Sequence, residues 1–85
     1  MAIVRVAPTQ VDVRCGLLDG RPRVIRVDRE RVPVIEIQQV RDELAAYPAE
    51  RGPLRIFEVL TPDARLRLAY ERRQRRWLLE GREAA

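Results

Sequence analysis

The stretch "ERRQRRW", residues 71–77, holds four arginines in five positions and ends on the chain's only tryptophan. Guanidinium groups at that density can grip phosphate oxygens by charge and by paired hydrogen bonds. An aromatic ring beside them can stack on a base. Two more arginines lie on the segment just before. Arg65, Arg67, Arg72, Arg73, Arg75 and Arg76 are therefore the candidate nucleic-acid-binding residues. The competing reading makes the same arginines the solvated tip of a hairpin, with Glu58 and Glu71 near enough to neutralise part of the charge.

What is missing narrows the chemistry further. All 17 basic residues are arginine, and the chain has no lysine, histidine, serine or asparagine. The codon bias of a GC-rich genome is the leading explanation for that pattern, and a thermophilic source is compatible with it. Without histidine there is no ordinary neutral-pH general base, no Ser-His or Cys-His dyad and no imidazole ligand for a metal. Cys15 stands alone, which excludes an internal disulfide and a cysteine zinc site; it reads as a buried structural thiol. Asp12, Asp19, Asp28, Glu30, Glu36, Asp42 and Glu43 are scattered with no spacing that fixes an acid/base pair. Gly16, Gly20, Gly52 and Gly81 never form a phosphate-cradling loop. The expectation is a protein that is not an enzyme and uses no cofactor and no metal.

Composition sets the scale. At 85 residues the chain is one small domain, with 46% hydrophobic and 35% charged residues, a globular balance. The net charge of +4 mildly favours anionic partners. No apolar run approaches the ~20 residues that cross a bilayer. The opening "MAIVRVAPTQ" is not a signal peptide, so a cytoplasmic location and no membrane partner are expected.

The elements that must position the arginines follow from period-2 patterning. In "RIFEVLTPDARLRLAYERRQRRWLLEG" two alternating runs flank a turn with proline at its second position. Pairing outward from Pro62-Asp63 sets Val59 against Leu66, Phe57 against Leu68 and Arg55 against Tyr70. The other side sets Glu58 against Arg67 and Leu60 against Arg65. If residues 72–75 form a four-residue loop, Tyr70 pairs with Trp77 and Leu68 with Leu79. Both pairs extend the same apolar face, so both rings belong to the core side.

A second meander lies upstream. "VIRVDRERVPVIEI" is expected to fold at "DRER", with Val27 meeting Val32, Ile25 meeting Val34 and Asp28 within reach of Arg31. Asp19-Gly20 marks the preceding hairpin. Matching its apolar faces pairs Val13 with Val27 and Cys15 with Ile25, which requires a three-residue loop or a bulge near Gly20. Arg14 then points away from the core. Pro33 makes 31–36 an edge strand or faces that position outward. Ile37, Val40, Leu44 and Tyr47 recur at helical spacing and Pro48 stops them, which predicts one short helix over about 37–46. Residues 1–10 are a possible edge strand or flexible arm, and 82–85 a flexible tail. The fold class is mainly β: a small, strongly bent antiparallel sheet or SH3-like barrel of 5–6 strands with that one helix.

The run from "GRPRVIRVDRERVPVIEI" through "VRDEL" to "RIFEVLTPDARLRLAYERRQRRWLLEG" resembles a family of short bacterial domains found alone and at the C-terminal tail of translesion-polymerase-like proteins. The likeness covers about residues 11–81. It rests on Val59 to Thr61, Leu66 to Tyr70, and Arg76 to Leu79. The family's further tryptophans are absent, with Val32 and Leu44 in those regions. The resemblance implies a basic strand pair followed by a short helix, and a DNA-damage-tolerance setting by association. It brings no catalytic residues.

Two functions remain. One is a nucleic-acid-binding accessory domain for DNA or RNA, using an arginine-rich sheet surface and hairpin. The other is a module for protein–protein interaction or homo-oligomerisation, through an exposed edge strand at 2–6 or 31–36.

Overall fold

The computed structural model describes residues 3–44 and 52–84, and alternation of side chains dominates both stretches. Seven strands result: β1 (Val4–Cys15), β2 (Pro22–Val27), β3 (Glu30–Pro33), β4 (Glu36–Glu43), β5 (Leu54–Leu60), β6 (Ala64–Glu71) and β7 (Arg76–Ala84). They form one sheet in the order β3-β2-β1-β7-β6-β5-β4, curled into a half-barrel. Every neighbouring pair is antiparallel.

The curl follows from the chain path. β3 and β4 stand at opposite ends of the sheet order, yet only Val34 and Ile35 separate them in sequence. The two linking amides reach both ends at once. Val34 N–H donates to the Arg23 carbonyl at 2.8 Å and Ile35 N–H to the Leu60 carbonyl at 2.8 Å. From Pro33 to Glu36 the chain spans at most ~11 Å, so the ends of the sheet must approach each other. Register shifts between Arg5 and Thr9, Arg14 and Cys15, Ile37 and Gln39, and Arg67 and Leu68 supply the bending. Pro8, which has no N–H to give the ladder, lies within the first of them.

The concave side holds the main core. Val11, Ile25, Phe57, Val59, Ala64, Leu66 and Leu68 are buried there, with Val13, Val27, Val32, Ile37, Trp77 and Leu79 packed against them. At roughly 1.5–3 kcal/mol for each large side chain, this cluster is the chief stabilising term. Leu54, Ile56 and Ala69 form a second buried cluster, on the alternate residues of β5 and β6.

The β5–β6–β7 register is the expected one. Phe57 faces Leu68, Val59 faces Leu66, Tyr70 faces Trp77 and Leu68 faces Leu79. The Thr61 hydroxyl braces the Pro62-Asp63 turn, donating to the Ala64 carbonyl at 2.8 Å and accepting the Ala64 N–H at 3.1 Å.

Three expectations are corrected. No helix occurs among the described residues; 36–43 is strand β4, paired with β5. Gln38 is a bulge residue, so Ile37 opposes Val59 and Val40 opposes Phe57. The bulge stretches a two-residue period to three and so imitates one turn of helix. Residues 45 and 46, and the expected stripe position Tyr47, lie outside the described residues. The strand count is seven rather than 5–6, because β4 replaces the helix and β1 is complete.

The third correction is register in the upstream meander. Ile25 faces Val32 and Val27 faces Glu30; Val13 faces Ile25 and Cys15 faces Pro22. The β2–β3 turn contains only Asp28 and Arg29, with φ of 50° and 77°. That left-handed pair makes the tight hairpin turn usually built from Asn-Gly. Up to Arg14 both registers are displaced by two residues, an even number, so the apolar faces stay as expected there; past the bulge Cys15 is displaced by three. The irregularity expected near Gly20 falls between Arg14 and Cys15.

β3 is an edge strand and carries Pro33. Segment 4–10 belongs to β1, where Val4 and Arg5 pair with β7, and residues 82–84 complete β7, where Ala84 pairs with Ala64.

Candidate nucleic-acid interface

The six arginines singled out in the sequence fall into two groups. Arg65 and Arg67 project from the convex side of β6 and are held by acids. Arg65 donates to Gln38 at 2.8 Å and to Glu83 at 3.2 Å. Arg67 donates to Glu58 at 2.9 Å, and its Nε is buried with no hydrogen-bond partner among the described residues. These two guanidiniums bind the sheet together rather than reaching outward.

Arg72, Arg73, Arg75 and Arg76 do gather at the β6–β7 turn, closed by the Arg75 N–H donating to the Glu71 carbonyl at 2.8 Å. Arg76 is bound to Glu71, whose side chain is 1% exposed. Arg72 reaches Asp42 at 3.3 Å. Arg73 lies over Gly52, where a Cβ would stand 3.1 Å from its Cδ. The side chain of Arg75, whose φ is 55°, makes no hydrogen bond or ion pair among the described residues. The tip is basic, but half of its charge is already matched.

The sheet places a different set of arginines in the open. On β1, β2 and β3 the residues alternating with the core valines are Asp12, Arg14, Val24, Arg26 and Arg31. With Val13 they line a shallow groove of about 360 Å³. Arg26 is opposite both Asp12 and Arg31 in the ladder. Arg14, Arg26 and Arg31 are exposed and make no ion pair among the described residues. The like charges of Arg26 and Arg31, set directly across the strand pair, work against folding, and Asp12 across the other ladder offsets part of that cost. The alternation in "VDVR", "RVIRV" and "RERV" carries this trio, but only correct registers bring it together.

A second cavity, about 550 Å³, opens at the mouth of the half-barrel, between the β1–β2 loop and strands β5–β7. Its lining includes Cys15, Arg55, Phe57, Tyr70, Arg72 and Trp77. The rings are tilted on one another, with Phe57 and Trp77 centroids 5.4 Å apart and Tyr70 and Trp77 5.0 Å apart. Phe57 is buried, whereas Tyr70 and Trp77 are half-buried. Both rings lie on the core side as expected, at its open end.

The rim of the mouth is ionic. Asp42 on β4 receives Arg55 Nε at 2.8 Å and Arg72 at 3.3 Å. The Arg55 hydrogen bond, then the charges of Arg55 and Arg72, hold the Asp42 carboxyl below the usual aspartate range. The same hydrogen bond raises Arg55 above its ordinary value. In the neighbouring loop the Arg21 N–H, then the Arg23 and Arg21 charges, depress Asp19. Leu17 and Leu18 on that loop are fully exposed.

Cys15 is half-buried. Burial first, and the Asp19 carboxylate second, push its thiol up, so at neutral pH it is a protonated, weakly nucleophilic group. Among the described residues no three His, Cys, Asp or Glu side chains gather where a metal ion could sit. No helix of the described residues is long and apolar enough to cross a membrane. The chain matches no family model, no curated protein and no solved structure.

Proposed function

We propose that this protein is a small non-catalytic module, a curled barrel of SH3-like kind, that binds nucleic acid through an arginine-rich sheet surface. The observation that carries the reading is the convex face of β1–β3. There Arg14, Arg26 and Arg31 line one open groove without carboxylate hydrogen bonds among the described residues. Exposed, unmatched guanidiniums release counterions on meeting phosphates, and that release drives binding. The basic tip at Arg72, Arg73 and Arg75 adds a second contact. Arg65, Arg67 and Arg76 contribute to folding, through Glu83, Glu58 and Glu71. The resemblance to the tail domain of translesion-polymerase-like proteins supports a setting in DNA processing.

The test is a salt titration of binding to labelled single strands and duplexes, followed by anisotropy. Replacing Arg14, Arg26 and Arg31 together by glutamine should lower the log–log salt slope on single strands by about 2, at ~0.7 per lost phosphate contact. Absence of binding at low salt removes the proposal.

A second reading has the chain pair with a protein or with its own copy through an edge strand. It is favoured by the two sheet ends, β3 and β4, each of which has one neighbour in the sheet. Segment 2–6 is less suited, since Val4 and Arg5 already pair with β7. β3 is guarded by its four-residue length, its charges and Pro33. A mass that rises with concentration in sedimentation, and stays monomeric when Val40 is replaced by proline, would support this reading over the first.

A further inference from the structure

We infer that the mouth of the half-barrel is a base-stacking subsite, which takes one unpaired nucleobase of a single strand whose phosphates lie on the arginines. This deepens the nucleic-acid reading and rests on it. Three aromatic rings, tilted on one another, line the cavity, and two of them are half-buried although they belong to the core side. A ring there keeps part of its surface for something other than the core. Filling the mouth with a flat π-system would complete the packing that Tyr70 and Trp77 begin.

The rim says what the flat group is attached to. Arg55 and Arg72 stand beside the rings with Asp42 between them, an excess of positive charge. Arg75 stands on the adjoining turn with no acid on its guanidinium among the described residues. An aliphatic ligand would be served by the rings but not by the guanidiniums, and a bare anion by the guanidiniums but not by the rings. A nucleotide uses both. The cavity, about 550 Å³, lies within the ~300–1,000 Å³ usual for small ligand groups. A base paired in a duplex cannot enter, so single strands are preferred.

Trp77 is the only tryptophan and lines the cavity, so its emission reports occupancy directly. The full-length protein is titrated with oligo(dT), with an abasic strand of equal length and with a duplex, following Trp77 emission and the anisotropy of a strand label. The expected result is quenching by oligo(dT) alone. The abasic strand should bind about 5- to 150-fold more weakly, the contribution of one stacked base. Tyr70→Leu should lower affinity for oligo(dT) and not for the abasic strand, and Tyr70→Phe should restore it. Equal affinity for the two strands, or equal quenching by the duplex, overturns the subsite and leaves the phosphate reading standing. No binding by any strand at low salt removes that reading, and the subsite with it.

Discussion

Arg31→Glu should make the protein more stable and a poorer ligand for nucleic acid at the same time. Arg26 and Arg31 are directly opposed in the β2–β3 ladder and both are exposed. With the charges about 6 Å apart in water, their repulsion is about 0.7 kcal/mol. Reversing one charge removes that term and adds an attraction of similar size, a swing of about 1.4 kcal/mol before screening. Screening reduces it to about 0.8 kcal/mol at 0.1 M salt and about 0.2 kcal/mol at 1 M, for screening lengths of ~10 and ~3 Å. For a chain this long that raises the melting temperature by roughly 3–6 °C at the lower salt. Thermal unfolding followed by Trp77 emission reads the shift, and Arg31→Gln should give about half of it. On single strands the salt slope of binding should fall by at least ~0.7, since one phosphate contact is lost. A lower melting temperature, or a gain independent of salt, would show that the two arginines do not face each other. Unchanged affinity would show that this face does not carry the ligand.

Arg29→Gly should stabilise the β2–β3 hairpin. Relief of a left-handed conformation, about 1–2 kcal/mol, exceeds the flexibility cost of glycine, about 0.5–1 kcal/mol, so urea unfolding should shift to higher midpoint. Leu68→Ala, at a position with no exposure, should cost about 2–5 kcal/mol. That is a large share of the roughly 4–13 kcal/mol usual for this length, read as a loss of cooperative unfolding midpoint by circular dichroism. Asp42→Asn frees Arg55 and Arg72 and should tighten binding to single strands at neutral pH. Because the Asp42 carboxyl is held low, its contribution to stability is present above the ordinary aspartate pKa of about 3.9 and is lost as pH falls through the depressed value. The stability gap between wild type and variant should therefore close in acid, and a gap that persisted there would show that Arg55 does not act on the carboxylate.

The last three strands were readable because two independent turns, at Pro62-Asp63 and at 72–75, demand the same apolar face. Upstream, nothing in "DRER" announces a two-residue turn, since neither Asp28 nor Arg29 is the glycine that such a turn prefers. Parity survived the error because matching valines on one face restricts register to even steps. The helix expected at 37–46 arose from a bulge, and one extra residue in a strand leaves the same mark on a sequence as a helical turn. For the site, local arginine density pointed to the β6–β7 turn. One of the acids that occupy those arginines is local, Glu71 on Arg76, but the other comes from afar: Asp42 lies 30 residues before Arg72. Arg14, Arg26 and Arg31 are spread over three strands and form a group only once the pairing is known.

The link at Val34–Ile35 also sets the two ends of β5 in different surroundings. It fastens the seam beside Leu60, where β5 finishes, while Arg55, near the start of the same strand, stands at the open mouth.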